Sequence, residues 1–182
     1  LLTHSHWDHF ADAHALQEKT KATVYVHILD AKNIEHPGSD RIPLFFPIHP
    51  VGIDHYLNEG EPVRVGELHL DVIHTPGHSP GGVSFYLKEE KLLISGDTLF
   101  QGSIGTLSLP TAKPEAMWTS LDKLAKLPPE TRVIPGHGDE TTIGQENWLP
   151  RAKEIFFGVI YEHTCWKKSP RIQSKSGIRQ ST

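Results

Sequence analysis

Thr3-His4-Ser5-His6-Trp7-Asp8-His9 stands almost at the start of the chain and decides how the rest reads. In an extended segment, side chains two apart point the same way, so His4 and His6 can hold one metal ion together. If the backbone turns into a helix near Asp8 and His9, those two side chains swing to a neighbouring position and can hold a second ion. Imidazole and carboxylate suit zinc or iron. The absence of cysteine from the motif disfavours a structural thiolate site.

Three further pieces share one design, a strand followed by a glycine-containing tight turn with a ligand-type residue. They are Val72-Ile73-His74-Thr75-Pro76-Gly77-His78, Leu93-Ile94-Ser95-Gly96-Asp97 and Val133-Ile134-Pro135-Gly136-His137-Gly138. Glycine before the ligand lets backbone approach a crowded site, and strand ends hold ligands more rigidly than long loops. Taken singly, each residue has a plainer reading. Asp8 could cap the helix that follows, Asp97 could cap a turn, and His78 and His137 could be hydrogen-bonded loop histidines. Together, His4, His6, Asp8, His9, His78, Asp97 and His137 form a combination that chance does not supply. The other histidines, 14, 27, 36, 49, 55, 69, 74 and 163, carry no ligand expectation. His74 is nearest in sequence to His78 and is the candidate for orienting it.

Outward from these motifs, Leu1-Leu2 reads as a strand end, 11–19 as a helix and Thr23–His27 as a strand. Residues 36–50 hold Pro37, Pro43, Pro47 and Pro50 and read as loop. Val63–Val65 with Glu67–Ile73, and Val83–Leu87 with Lys91–Ser95, read as hairpins. Pro114 can open a helix, and Met117, Leu121 and Leu124 then make an apolar stripe that belongs to the core. Thr131–Ile134 reads as a strand, and 142–157 as partly helical with a break near Pro150.

The 182 residues carry a formal charge of −4 and are 37% hydrophobic, ordinary for a globular chain and no polyanion binder. The apolar run Ile155–Tyr161 is far too short to cross a bilayer. Cys165 is alone, so no internal disulfide is expected, which allows a reducing, cytoplasmic setting. Residues 159–182 hold five basic residues and one acidic residue, and the polar end is expected to be disordered.

At these residues the chain resembles the metallo-β-lactamase superfamily. Within it, the chain is most similar to the glyoxalase II group, the hydroxyacylglutathione hydrolases and their small bacterial-type relatives. The stretch 95–105, Ser-Gly-Asp-Thr-Leu-Phe-Gln-Gly-Ser-Ile-Gly, is similar to that group's signature after its bridging aspartate. So is 133–138, followed by Thr141-Thr142-Ile143-Gly144. After Gly105 the group usually continues Arg-Thr-Asp, where this chain has Thr106-Leu107-Ser108.

The resemblance implies an α+β fold, a four-layer αββα sandwich over residues 1–157, lacking the strands that precede the first histidine motif in the family. Residues 158–182 are then an atypical basic tail. It implies two divalent ions, zinc first and iron or manganese as alternatives. His4, His6 and His78 would hold one ion, and Asp8, His9 and His137 the other. Asp97 would bridge them, and Asp8 would orient the attacking hydroxide. The implied activity is hydrolysis of a small-molecule thioester, or another ester, with no nucleic-acid or membrane partner. The rival on this scaffold is an iron-dependent persulfide dioxygenase built on His4, His78 and Asp97. A third reading is an inactive metal-binding fragment.

Overall fold

Along β5 (Val83–Leu87), Val83, Phe85 and Leu87 alternate with Ser84 and Tyr86, and all five are buried. A strand buried on both faces sits between two layers of core. The computed structural model, which describes residues 1–156, provides both. The expected tail at 158–182, including Cys165, lies outside the described residues.

β3 (Val63–Val65), β4 (Leu68–His74), β5, β6 (Leu92–Gly96), β7 (Arg132–Pro135) and β8 (Thr141–Thr142) form one six-stranded sheet in that order. All neighbours pair antiparallel except β6 and β7, which run parallel. A second, two-stranded parallel sheet joins β1 (Tyr25–His27) to β2 (His55–Leu57). Leu70, Val72, Val83, Phe85 and Leu87 face Leu57 and Tyr25 between the sheets. On the other face, Tyr86, Leu93 and Val133 pack under Met117, Leu121 and Leu124 of α4 (Pro114–Leu124). Beyond the small sheet, Val24 and Val26 meet Phe10 of α1 (Trp7–Phe10) and Ala31 and Ile34 of α3 (Ile28–Glu35). Three apolar interfaces therefore separate four layers, helix, sheet, sheet and helix, giving an α+β sandwich.

Both hairpins and the α4 helix follow the sequence reading. The early helix is α2 (Ala13–Thr20), which buries none of its residues. Four details differ. Leu1-Leu2 is not strand; Leu2 N donates to Tyr25 O at 3.0 Å without joining the sheet. The helix α3 and the strand β2 were not expected. The region from 142 begins as strand β8 and turns, and becomes helical only from Leu149–Arg151, a 3₁₀ turn leading into 152–156. Pro150 opens that turn, where its missing N–H costs nothing, rather than breaking a helix. Among the described residues, no helix is long and apolar enough to cross a membrane.

Candidate metal centre

His6 is extended (φ −71°, ψ 143°) and is the residue at which α1 begins. Before it the chain forms no regular element, and the His4 and His6 rings lie 4.7 Å apart. From Trp7 it is helical, which sends Asp8 and His9 to the next position. β4, β6 and β7 are neighbours of one sheet, separated only by β5 between β4 and β6. Their C-terminal ends deliver His78, Asp97 and His137. At the last of these, a Cβ on Gly136 would collide with Asp97 Oδ1 and the His9 ring, so only glycine lets the turn come this close.

The seven expected residues converge. His6 Nδ1 lies 2.8 Å from His78 Nε2. His78 Nε2 is 3.3 Å from Asp97 Oδ2, and His9 Nε2 is 3.4 Å from Asp97 Oδ1. His137 Nε2 lies 3.1 Å from His9 Nε2, 3.1 Å from Asp8 Oδ2 and 3.5 Å from Asp97 Oδ2. Donor atoms about 2.0–2.1 Å from one tetrahedral ion stand roughly 3.4 Å apart, so these spacings suit a shared ion. Three triads each offer donor atoms within 4.8 Å of one another: His4, His6 and His78; His4, His9 and Asp97; and Asp8, His9 and His137. The first triad is buried, whereas the His137 and Asp8 side chains are 53% and 35% exposed. Water and small molecules therefore reach the centre from the second triad.

The donor set fits metal by a further test. His4 Nε2 and His6 Nε2 are buried without a hydrogen-bond partner, a costly state for polar atoms that a cation would relieve. Burial, and then the neighbouring histidines, push the His4 pKa well below its usual value, and burial brings His6 down to about 4. Both are neutral at physiological pH, the form that binds metal. Burial alone would raise Asp97, yet the His78 and His9 rings hold its carboxyl well below the usual carboxylate range. Burial opposes protonation of His9 too, but the Asp97 carboxylate outweighs it and raises the His9 pKa.

Support for the seven side chains comes partly from groups the motifs did not disclose. His78 Nδ1–H donates to the carbonyl of Thr106 at 2.8 Å, which fixes the tautomer and leaves Nε2 free for a ligand role. Thr106 stands where the resembling group usually has arginine, and it acts through its backbone. His74, expected to orient His78, instead stacks on His27 at 4.1 Å and donates to Pro80 O. Asp8 lies in the first turn of α1 and His6 is the cap, so the helix-cap reading of Asp8 does not hold.

The sequence profile of the Metallo-beta-lactamase superfamily matches residues 1–137. The chain is 38% identical over 146 residues to a probable metallo-hydrolase, YqgX, of Bacillus subtilis (strain 168), covering 79% of this chain and 69% of that protein. It is 33% identical over 156 residues to the hydroxyacylglutathione hydrolase GloC of Haemophilus influenzae, covering 80% and 71%. Among solved structures, TTHA1623 in a di-iron-bound form superposes with a TM-score of 0.70 at 44% identity, over 79% of this chain and 71% of that one.

Proposed function

This chain belongs to the metallo-β-lactamase superfamily of metal-dependent hydrolases, and on that footing we propose that it hydrolyses a thioester of the hydroxyacylglutathione kind at a two-metal centre. The observation that carries the reading is a pair of triads, one buried and one more exposed, that both reach Asp97. His4, His6 and His78 stand on the buried side, and Asp8, His9 and His137 on the exposed side. A one-ion site using only His4, His78 and Asp97 would leave the exposed triad without employment. The name of the Haemophilus influenzae relative supports the substrate class.

Bound divalent ions would supply Lewis acidity and bring the pKa of water down towards about 7. The chain's own groups do the rest. Asp97, within 3.5 Å of His78, His9 and His137, holds negative charge where the two triads meet. Asp8 stands at the open side, where its carboxylate can accept a hydrogen bond from an entering water and point that oxygen at a carbonyl carbon. The new C–O bond forms, the C–S bond breaks, and the water's proton leaves with the thiolate. His137, the most exposed of the seven, stands on the solvent side, from which an acyl group would enter. The buried first triad keeps bulk water from the other side.

The test is a thiol-release assay on a hydroxyacyl thioester of glutathione, with chain loaded separately with zinc, iron and manganese. One free thiol should appear per acid formed. Oxygen uptake on a persulfide with a single bound iron, and no thiol release, would move the assignment to the dioxygenase. The di-iron form of the solved relative makes iron loading an essential arm.

A further inference from the structure

Ser5, between His4 and His6, is held at both of its backbone polar groups by one helix. Ser5 N donates to Asp30 Oδ2 at 2.9 Å, and Ser5 O accepts from Asn33 Nδ2 at 2.6 Å. The other oxygen of the same carboxylate, Asp30 Oδ1, accepts from Gly81 N at 2.6 Å, in the turn that carries His78. Asp30 and Asn33 are three apart on α3 and therefore share a face. Asp30 is 2% exposed, and none of the groups bonded to its carboxylate is a cation. Asn33 is fully engaged as well: Nδ2 also donates to Asp40 Oδ2 at 2.9 Å, and Oδ1 accepts from Asp40 N at 3.1 Å. A Cβ on Gly81 would fall 2.7–2.8 Å from Asp30 backbone and side-chain atoms, so the helix approaches this turn as closely as glycine allows.

We propose that Asp30, assisted by Asn33, is a positioning residue that sets the distance between the two loops presenting His4, His6 and His78. The inference rests on the reading of those three as ligands of one metal ion. Holding Ser5 by its backbone N–H and C=O fixes the segment that presents both imidazoles without touching either. One carboxylate bonded to both loops ties His4 and His6 to His78, which no bond within either loop can do. A carboxylate offers two acceptors, whereas an amide offers one acceptor and one donor. In Asp30→Asn one of the two backbone N–H groups would meet an N–H.

The experiment uses the whole chain as wild type, Asp30→Asn and Asn33→Ala, stripped of metal and titrated with zinc against a chromophoric chelator. Melting is followed with and without zinc. Wild type should show two tight sites. Asp30→Asn should weaken one of them about 10–100-fold, the usual cost of losing support behind a ligand, and leave the other within about threefold. Asn33→Ala, which loosens Ser5 but not Gly81, should shift the same site in the same direction by less. The zinc-induced rise in melting temperature should shrink in both. A residue that serves only the fold would lower melting of stripped and loaded protein equally and leave zinc affinity unchanged; that result overturns the proposal. If Asp30→Asn does not fold, wild-type zinc affinity in Asn33→Ala overturns it alone. Wild type without tight zinc sites would sink the two-metal reading, and this inference with it. Two intact sites in every variant would sink only the inference.

Discussion

At the scale of single residues, Asp97 carries the most. Its two oxygens face His9 on one side and His78 and His137 on the other, at 3.3–3.5 Å. Asp97→Ala should lower thioester kcat/KM by at least about 100-fold, since a direct ligand should cost no less than the support behind one. Far-UV circular dichroism should stay unchanged; near wild-type turnover would remove Asp97 from the chemistry. His27 gives a separate test by pH. Its ring, buried and stacked on His74, has its pKa pushed down to about 4. The unfolded value is near 6.5, so the folded state loses stability as pH falls from about 6.5 towards about 4, with no further loss below that. His4 and His6 are shifted in the same direction and add to the effect. His27→Asn keeps an oxygen able to accept from Leu29 N at the start of α3 and removes the titration. In metal-free protein, the difference in urea midpoint between pH 7 and pH 5 should be smaller for His27→Asn than for wild type. An unchanged difference would contradict the assignment. The convergence of the seven side chains was legible because each sits in a motif whose side-chain type and spacing announce it. Thr106 was not, because a backbone carbonyl leaves no mark in the side-chain sequence. His74 misled because closeness in sequence to His78 is not contact: the turn between them carries the two rings to different neighbours.

At the scale of elements, the legible pieces are those with one apolar face. β4 shows period-two alternation of Leu68, Leu70 and Val72, and α4 shows Met117, Leu121 and Leu124 at helical spacing. Leu121 is fully buried among Tyr86, Leu93 and Val133. Leu121→Ala should therefore lower the unfolding free energy by about 2–5 kcal/mol, read from urea denaturation. A loss under about 1 kcal/mol would mean that α4 is not packed on the sheet as described. The element that escaped sequence reading is α3. It buries Asp30 and Asn33 beside Ala31 and Ile34, so its inward face is half polar and no apolar stripe appears. Asp30 and Asn33 bond the backbone of Ser5 and Gly81 instead of filling core. β2 escaped because only one of its three residues is buried, and β8 because it has two residues. Strands this short are made by their neighbours more than by their own propensity.

At the scale of the whole molecule, the two sheets, held apart by their apolar filling, bring strand ends from β4, β6 and β7 to one rim, where the first loop and α1 complete the centre. Each triad combines residues from distant parts of the chain, so on the proposed reading metal binding would be coupled to folding. Ion binding to the folded state at about 100 times its dissociation constant adds roughly 2.7 kcal/mol. Chelation should accordingly lower the melting temperature, and added zinc should restore it. A melting temperature indifferent to chelator would show that the centre contributes nothing to the fold. The central claim, that the seven side chains form one two-metal centre bridged by Asp97, is tested most directly by elemental analysis of chain purified without chelator. Two transition-metal ions per wild-type chain, falling to one or none in Asp97→Ala, is the result expected. One ion or fewer in wild type, or an unaltered pair of ions in Asp97→Ala, would contradict it.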